Sequence, residues 1–167
     1  MKLMNENEIY GFEAPDSNSA VDELYRIACS FRKAIEAAKN AREINEMLSF
    51  PEGCCTFASD LFQRFLVEEC GIQTYYMSGR YGYGKNGESH AWLETKDGTV
   101  LDITGDQYKS KNLKFTEEVY VGPRNDGFHD SFELDSPVPY SVNNKMFLEK
   151  VKFDHRYAMV LKYLKLG

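Results

Sequence analysis

Ser89-His90-Ala91-Trp92-Leu93-Glu94-Thr95-Lys96-Asp97-Gly98-Thr99-Val100-Leu101-Asp102-Ile103-Thr104 reads as two strands joined by a tight turn. The turn lies between Glu94 and Thr99, and Asp97-Gly98 allows two versions of it. A two-residue type I′ loop pairs Lys96 with Thr99 and sends His90 and Asp102 to opposite faces. A type I turn over Thr95 to Gly98, ending in a left-handed Gly98 bulge, pairs Thr95 with Thr99 instead. Trp92 then stands opposite Asp102. His90 and Asp102 become diagonal neighbours on one face, about 7–8 Å apart at the backbone.

The hydrophobic pattern selects the bulged turn, because a slip of one residue moves every side chain to the other face. In the bulged register Ala91, Leu93, Leu101 and Ile103 form one wholly apolar face, while His90, Trp92, Glu94, Val100 and Asp102 share the other. The two-residue register mixes Leu93 with Asp102 and Trp92 with Ile103, leaving no clean core face. The pattern therefore predicts that His90 and Asp102 meet. The bland alternative for such a pair is a solvated histidine and a surface aspartate.

Upstream, Phe50-Pro51-Glu52-Gly53-Cys54-Cys55 opens an apolar-periodic segment. Ala58, Leu61, Phe62, Phe65 and Leu66 recur at spacings of three and four, which predicts a helix from about Cys55 to Glu69. A thiol at a helix N-terminus faces unpaired N–H groups and the positive end of the helix dipole. Both favour the thiolate, and the same N–H groups can hold an oxyanion. Cys, His and Asp are the inventory for a nucleophile, its base and the group that orients the base. Cys55 leaves the apolar stripe to pack while it stays at the lip, so Cys55 is the favoured nucleophile and Cys54 the alternative. Cys29 and Cys70 read as small buried hydrophobes.

Gly53-Cys54-Cys55, a helix, Gly71, a strand ending Met77-Ser78-Gly79, then Ser89-His90-Ala91-Trp92 and Leu101-Asp102-Ile103-Thr104 resemble the transglutaminase-like superfamily of papain-like cysteine enzymes. The resemblance covers roughly residues 50–108. It implies Cys55 as nucleophile, His90 as general base and Asp102 as orienting acid. The doubled cysteine departs from the family pattern, as does Ile103, which stands where proline is common. The superfamily includes transglutaminases, peptidases, deamidases, acetyltransferases and inactive members, so chemistry is implied more firmly than substrate.

The 167 residues are expected to form one domain with a sizeable core. Hydrophobic content of 43% and charged content of 28% describe a soluble globular chain. A net charge of −6 argues against nucleic-acid partners and against anionic membranes. No apolar run approaches the roughly 20 residues of a membrane span, and Met1 to Glu6 holds no signal-peptide core. Four cysteines without a CxxC, and three scattered histidines, suggest neither a disulfide framework nor zinc spacing. The expectation is a cytoplasmic enzyme without metal or organic cofactor, acting on a peptide or protein substrate.

Residues 1–18 read as irregular, and a leading helix is expected from Ser19 to about Leu48, ended by Phe50-Pro51. Gln73 to Met77 reads as a strand, and Ser78 to Glu88 as a Gly-rich loop bearing Tyr81 and Tyr83. Gln107, Trp92, Tyr81 and Tyr83 are candidate oxyanion or substrate contacts. Phe115 to Val121 is a further strand, residues 122–142 are loops, and Lys145 to Leu166 is a closing helix. His129, in Phe128-His129-Asp130, falls within the loops and is a competing base candidate, although nothing in the sequence gives it a rigid support; His155 falls in the closing helix and reads as structural. The expected fold is α+β. N-terminal helices, including the Cys-bearing helix, pack on a small antiparallel sheet, and the resemblance implies a papain/transglutaminase-like core.

Overall fold

The computed structural model describes residues 17–82, 87–109, 115, 117–141 and 147–165. Among them it is α+β, with three α-helices and a six-stranded antiparallel sheet. The order along the chain is α1 (Ser17–Asn40), α2 (Cys55–Glu68), β1 (Thr74–Tyr81), β2 (Glu88–Thr95), β3 (Thr99–Asp102), β4 (Tyr120–Pro123), β5 (Glu133–Leu134), β6 (Val138–Pro139) and α3 (Phe147–Tyr163). The sheet runs β4-β3-β2-β1-β5, with β6 pairing β1 beside β5. No helix is long and apolar enough to cross a membrane among the described residues.

The β2–β3 hairpin takes the bulged register. Leu93 pairs with Leu101 and Glu94 with Val100. Gly98 sits at φ +85°, and its N–H donates to the Thr95 carbonyl at 3.0 Å, closing the turn. Leu93, Leu101 and Ile103 consequently face the helices, packed with Phe31 and Ile35 of α1 and Phe62, Phe65 and Leu66 of α2 in one buried cluster. Phe31 stacks on Phe62 and Phe65 at ring-centre distances of 5.0 and 5.2 Å. Each such side chain contributes about 1.5–3 kcal/mol by leaving water.

The opposite face of the sheet is buried too. Met77, Trp92 and Val100 lie under Tyr108, Phe128 and Phe132, so a second apolar cluster covers the face that carries His90 and Asp102. The covering segment is residues 126–134, read from sequence as open loop; it contains a 3-10 turn, His129–Ser131, and leads into β5.

The boundaries of three elements differ from expectation. α1 is described from Ser17, already helical two residues before Ser19, and it ends at Asn40 rather than near Leu48. Its end is a Schellman closure in which Glu43 N–H bonds the Ala38 carbonyl and Arg42 N–H bonds that of Lys39. Arg42 occupies the left-handed position at φ +57°, where glycine would have given a sequence signal. β1 continues four residues past Met77 to Tyr81, through the segment read as loop. Gly79 is there for closeness: a Cβ would lie 2.7 Å from the Glu133 carbonyl oxygen of β5. The other expected strand, Phe115 to Val121, is narrower and later, beginning at Tyr120.

Candidate active site

Cys55 is the first residue of α2, and Cys54 precedes it without a side-chain capping bond. Ala58 N–H is the first to bond within the helix, to the Cys54 carbonyl at 2.9 Å. The N–H groups of Cys55, Thr56 and Phe57 therefore lack intrahelical acceptors. The two adjacent thiols are separated by environment. Cys54 is buried in the helix-side core with Ser49 Oγ 3.7 Å from its sulfur, and burial pushes its thiol up. Cys55 is half-buried. Burial alone would raise it, but hydrogen bonding and charge from His90, the Ala91 N–H and the Gln107 side chain bring it below the ordinary thiol range. Cys29 and Cys70 are half-buried at the margin of the helix-side core rather than fully buried.

His90 comes from the second layer of this arrangement. β2 packs under α2, with Ser59 Oγ donating to the Ala91 carbonyl at 3.3 Å. The His90 side chain is fully buried, and its Nε2 donates to Asp102 Oδ2 at 2.6 Å. Gln107 Nε2 lies 3.1 Å from Nδ1, and Cys55 also hydrogen-bonds the His90 ring. Burial disfavours the imidazolium, yet Asp102 and Cys55 outweigh it and push His90 up to about 9. Asp102 is fully buried; burial opposes its charge, but His90 and His129 hold its carboxyl well below the usual range. Its second oxygen, Oδ1, accepts the Thr104 N–H at 2.8 Å.

Gln107 is fixed from both sides. Its Oε1 accepts the Gly53 N–H at 3.2 Å, which aims its amide N–H groups toward His90 and Cys55. It stands on a 3-10 turn, Gly105–Tyr108, anchored by α1. Buried Arg32 there bonds Asp106 through two nitrogens at 2.7 and 2.9 Å and the Ile103 carbonyl at 2.9 Å. Gly105 packs so closely that a Cβ would lie 2.3 Å from the Phe115 ring and 3.1 Å from Asp102 Oδ2.

The other sequence candidates are sorted by burial. Trp92 is fully buried, with Nε1 donating to Glu94 Oε1 at 3.0 Å, and it packs against His90 and His129. It supports the site from beneath and is not a substrate contact, because the 126–134 segment seals its face. Tyr81 is exposed at the end of β1 beside Phe132. Tyr83 lies outside the described residues.

One participant enters in a role other than the competing base the sequence offered. His129 is fully buried, and its Nε2 donates to Asp102 Oδ2 at 2.8 Å, the same oxygen that receives His90. Its Nδ1 bonds Asp126 Oδ2. Asp126 Oδ1 accepts the N–H groups of Phe128 and His129 at 2.9 and 2.8 Å, a local turn that supplies the rigid support absent from the sequence reading. The signal was present in Asp126-Gly127-Phe128-His129, an Asp–Gly pair followed by His, but turns of this kind recur without function. His90, Asp102 and His129 also offer nitrogen and oxygen donors within 4.8 Å of one another, a set a metal could use. Both imidazoles, however, point at one carboxylate oxygen at hydrogen-bond distance, so an ion would have to displace both bonds.

Comparison with known proteins found no family model that matches the chain, no similar curated protein and no similar solved structure.

Proposed function

We infer that the chain is a cysteine-dependent acyl-transfer enzyme of the papain-like, transglutaminase-like kind, hydrolysing a peptide, isopeptide or glutamine-type amide through a thioester. The observation that carries this reading is the line from Cys55 through His90 to Asp102, with Gln107 aimed at the same point. The thiolate attacks the amide carbonyl carbon, forming a C–S bond and a tetrahedral oxyanion. The N–H of Cys55 and a Gln107 amide N–H are the available donors to that oxygen. With the resting His90 an imidazolium, its ring does not accept the Gln107 N–H, which is free to turn to the oxyanion. Collapse breaks the C–N bond, and the His90 imidazolium gives its proton to the leaving amine. Water then attacks the thioester, His90 takes its proton, and C–S cleavage restores the thiolate and imidazolium. Asp102 fixes the tautomer and supports the charged ring.

A cavity of about 310 Å³ opens beside Thr56, the residue after Cys55, between α2, β1 and the β6 segment. Its aromatic walls, Tyr76 and Tyr140, and the carboxylate of Asp60 suit an extended polypeptide. All four cysteines are free thiols, which fits a reducing, cytoplasmic setting. Resolution of the thioester by an amine is the alternative outcome of the same chemistry, and a catalytically inactive binding module is the alternative class.

The test is a screen of fluorogenic peptide amides and glutamine peptides, read for amine or ammonia release with and without added primary amine. Release by the wild type that is lost in Cys55→Ala and retained in Cys54→Ser supports the reading. Release that is insensitive to Cys55→Ala overturns it.

A further inference from the structure

We propose that His129 is a positioning residue held as a permanent imidazolium, which shares Asp102 with His90 and keeps His90 acidic enough to return its proton. This deepens the acyl-transfer reading and rests on it for its purpose, though not for its electrostatics.

The argument begins with proton counting. Both ring nitrogens of His129 face carboxylate oxygens, Asp102 Oδ2 at 2.8 Å and Asp126 Oδ2. The remaining oxygens of both carboxylates already accept main-chain N–H groups. Ionised carboxylates only accept. A neutral imidazole would turn one ring lone pair against a carboxylate lone pair in a fully buried site, so both nitrogens carry hydrogen. The direction of the His129 shift agrees with this: burial opposes the charge, and Asp102 and Asp126 overcome it.

Among the described residues, the ionised partners that face His129 are Asp102 and Asp126. Asp102 comes from β3, Asp126 from the preceding turn, His90 from β2 with ring centres 6.3 Å apart, and Tyr120 from β4 stacked at 5.3 Å. The Tyr120 phenol donates to the Pro123 carbonyl and remains protonated at neutral pH. Trp92, Phe115 and Phe128 fill the rest of the surround.

The consequence falls on His90. Asp102 Oδ2 accepts two N–H donors at once, and the nearby cation offsets part of its charge. A lone buried carboxylate would hold the His90 proton more tightly, making the imidazolium a poorer acid toward a leaving amine. General acid–base groups work best when their pKa lies near the working pH. His129 and Asp126 therefore act together as a brake on the basicity of His90.

The experiment uses the full chain labelled with ¹⁵N-histidine, which contains only His90, His129 and His155. Ring-nitrogen shifts are followed from pH 5 to pH 10 in the wild type, Asp126→Asn and His129→Gln. In the wild type both nitrogens of His129 should stay protonated well above the ordinary imidazole range of about 6.5. In Asp126→Asn, which offers an N–H to Nδ1, His129 should become neutral, and the His90 midpoint should move up by about one unit. His129→Gln should move His90 the same way. A His129 that titrates as an ordinary imidazole in the wild type, or a His90 midpoint that falls or stays fixed in Asp126→Asn, overturns the proposal. A purely structural role would lower or broaden the His90 titration rather than raise it. Iodoacetamide labelling of the same samples separates the two claims: an unreactive Cys55 defeats the enzyme reading while leaving the imidazolium result to stand or fall alone.

Discussion

The two faces of the β2–β3 hairpin are both buried, but they are built from opposite materials. Toward the helices lie Leu93, Leu101 and Ile103 in one hydrocarbon cluster. Toward the 126–134 segment lie His90, Glu94 and Asp102, each partnered, with Trp92 and Val100 between them. The first face fixes the register, since any slip would bury Asp102 among the leucines. The second face carries the ionisable groups, and their burial under the covering segment moves their ionisation. Strand alternation alone thus sorts hydrocarbon to one face of the hairpin and paired ionisable groups to the other.

Breaking the polar face should have the largest effect. Asp102→Asn leaves two imidazoles sharing an amide in place of a carboxylate, and removes the charge that supports both. Turnover of any amide found in the screen should fall about a thousand- to ten-thousand-fold, measured as kcat at saturating substrate. The apolar face should respond in the other currency. Leu101→Ala should lower unfolding free energy by about 2–5 kcal/mol, read by denaturant titration, while leaving the pH profile of Cys55 alkylation unmoved. A shifted profile in Leu101→Ala would mean that the two faces are coupled. Gln107→Ala should reduce turnover about a hundred-fold, as expected of an oxyanion donor, and should move the pH profile of Cys55 alkylation upward, because the Gln107 side chain also helps lower that thiol.

Much of this contrast was legible in the sequence. The Gly98 bulge, the apolar alternation and the period of α2 lead from residues to the meeting of His90 with Asp102, and on to the placement of Cys55. The covering side was not legible, because it depends on contacts distant in sequence. His129 reaches Asp102 across 27 positions, and Arg32 reaches Asp106 across 74. Neither pairing leaves a periodic trace. The early end of α1 was hidden for a local reason, since Arg42 takes the left-handed position that glycine would have announced. Gly79, read as a loop glycine, instead answers the close approach of β5.

A smaller effect sharpens the ionic side of the comparison. His90 is raised in the fold, so its contribution to stability is fully present below its ordinary value of about 6.5 and is lost as pH rises through about 9. Cys55 is lowered, so its contribution grows with pH over the range between its folded value and that of a free thiol. In the wild type the two oppose each other. In Cys55→Ala only the histidine side remains, and the melting temperature should fall more steeply between pH 6.5 and pH 9 than it does in the wild type. Parallel curves would show that the thiol and imidazole do not ionise as a pair.

The most direct measurement is the pH dependence of iodoacetamide labelling, mapped to individual cysteines by mass spectrometry, in the wild type and His90→Ala. Rapid labelling of Cys55 well below the free-thiol value of about 8.5, lost in His90→Ala while Cys54 stays slow in both, is the predicted result. An ordinary thiol profile at Cys55 that His90→Ala leaves unchanged would contradict the account.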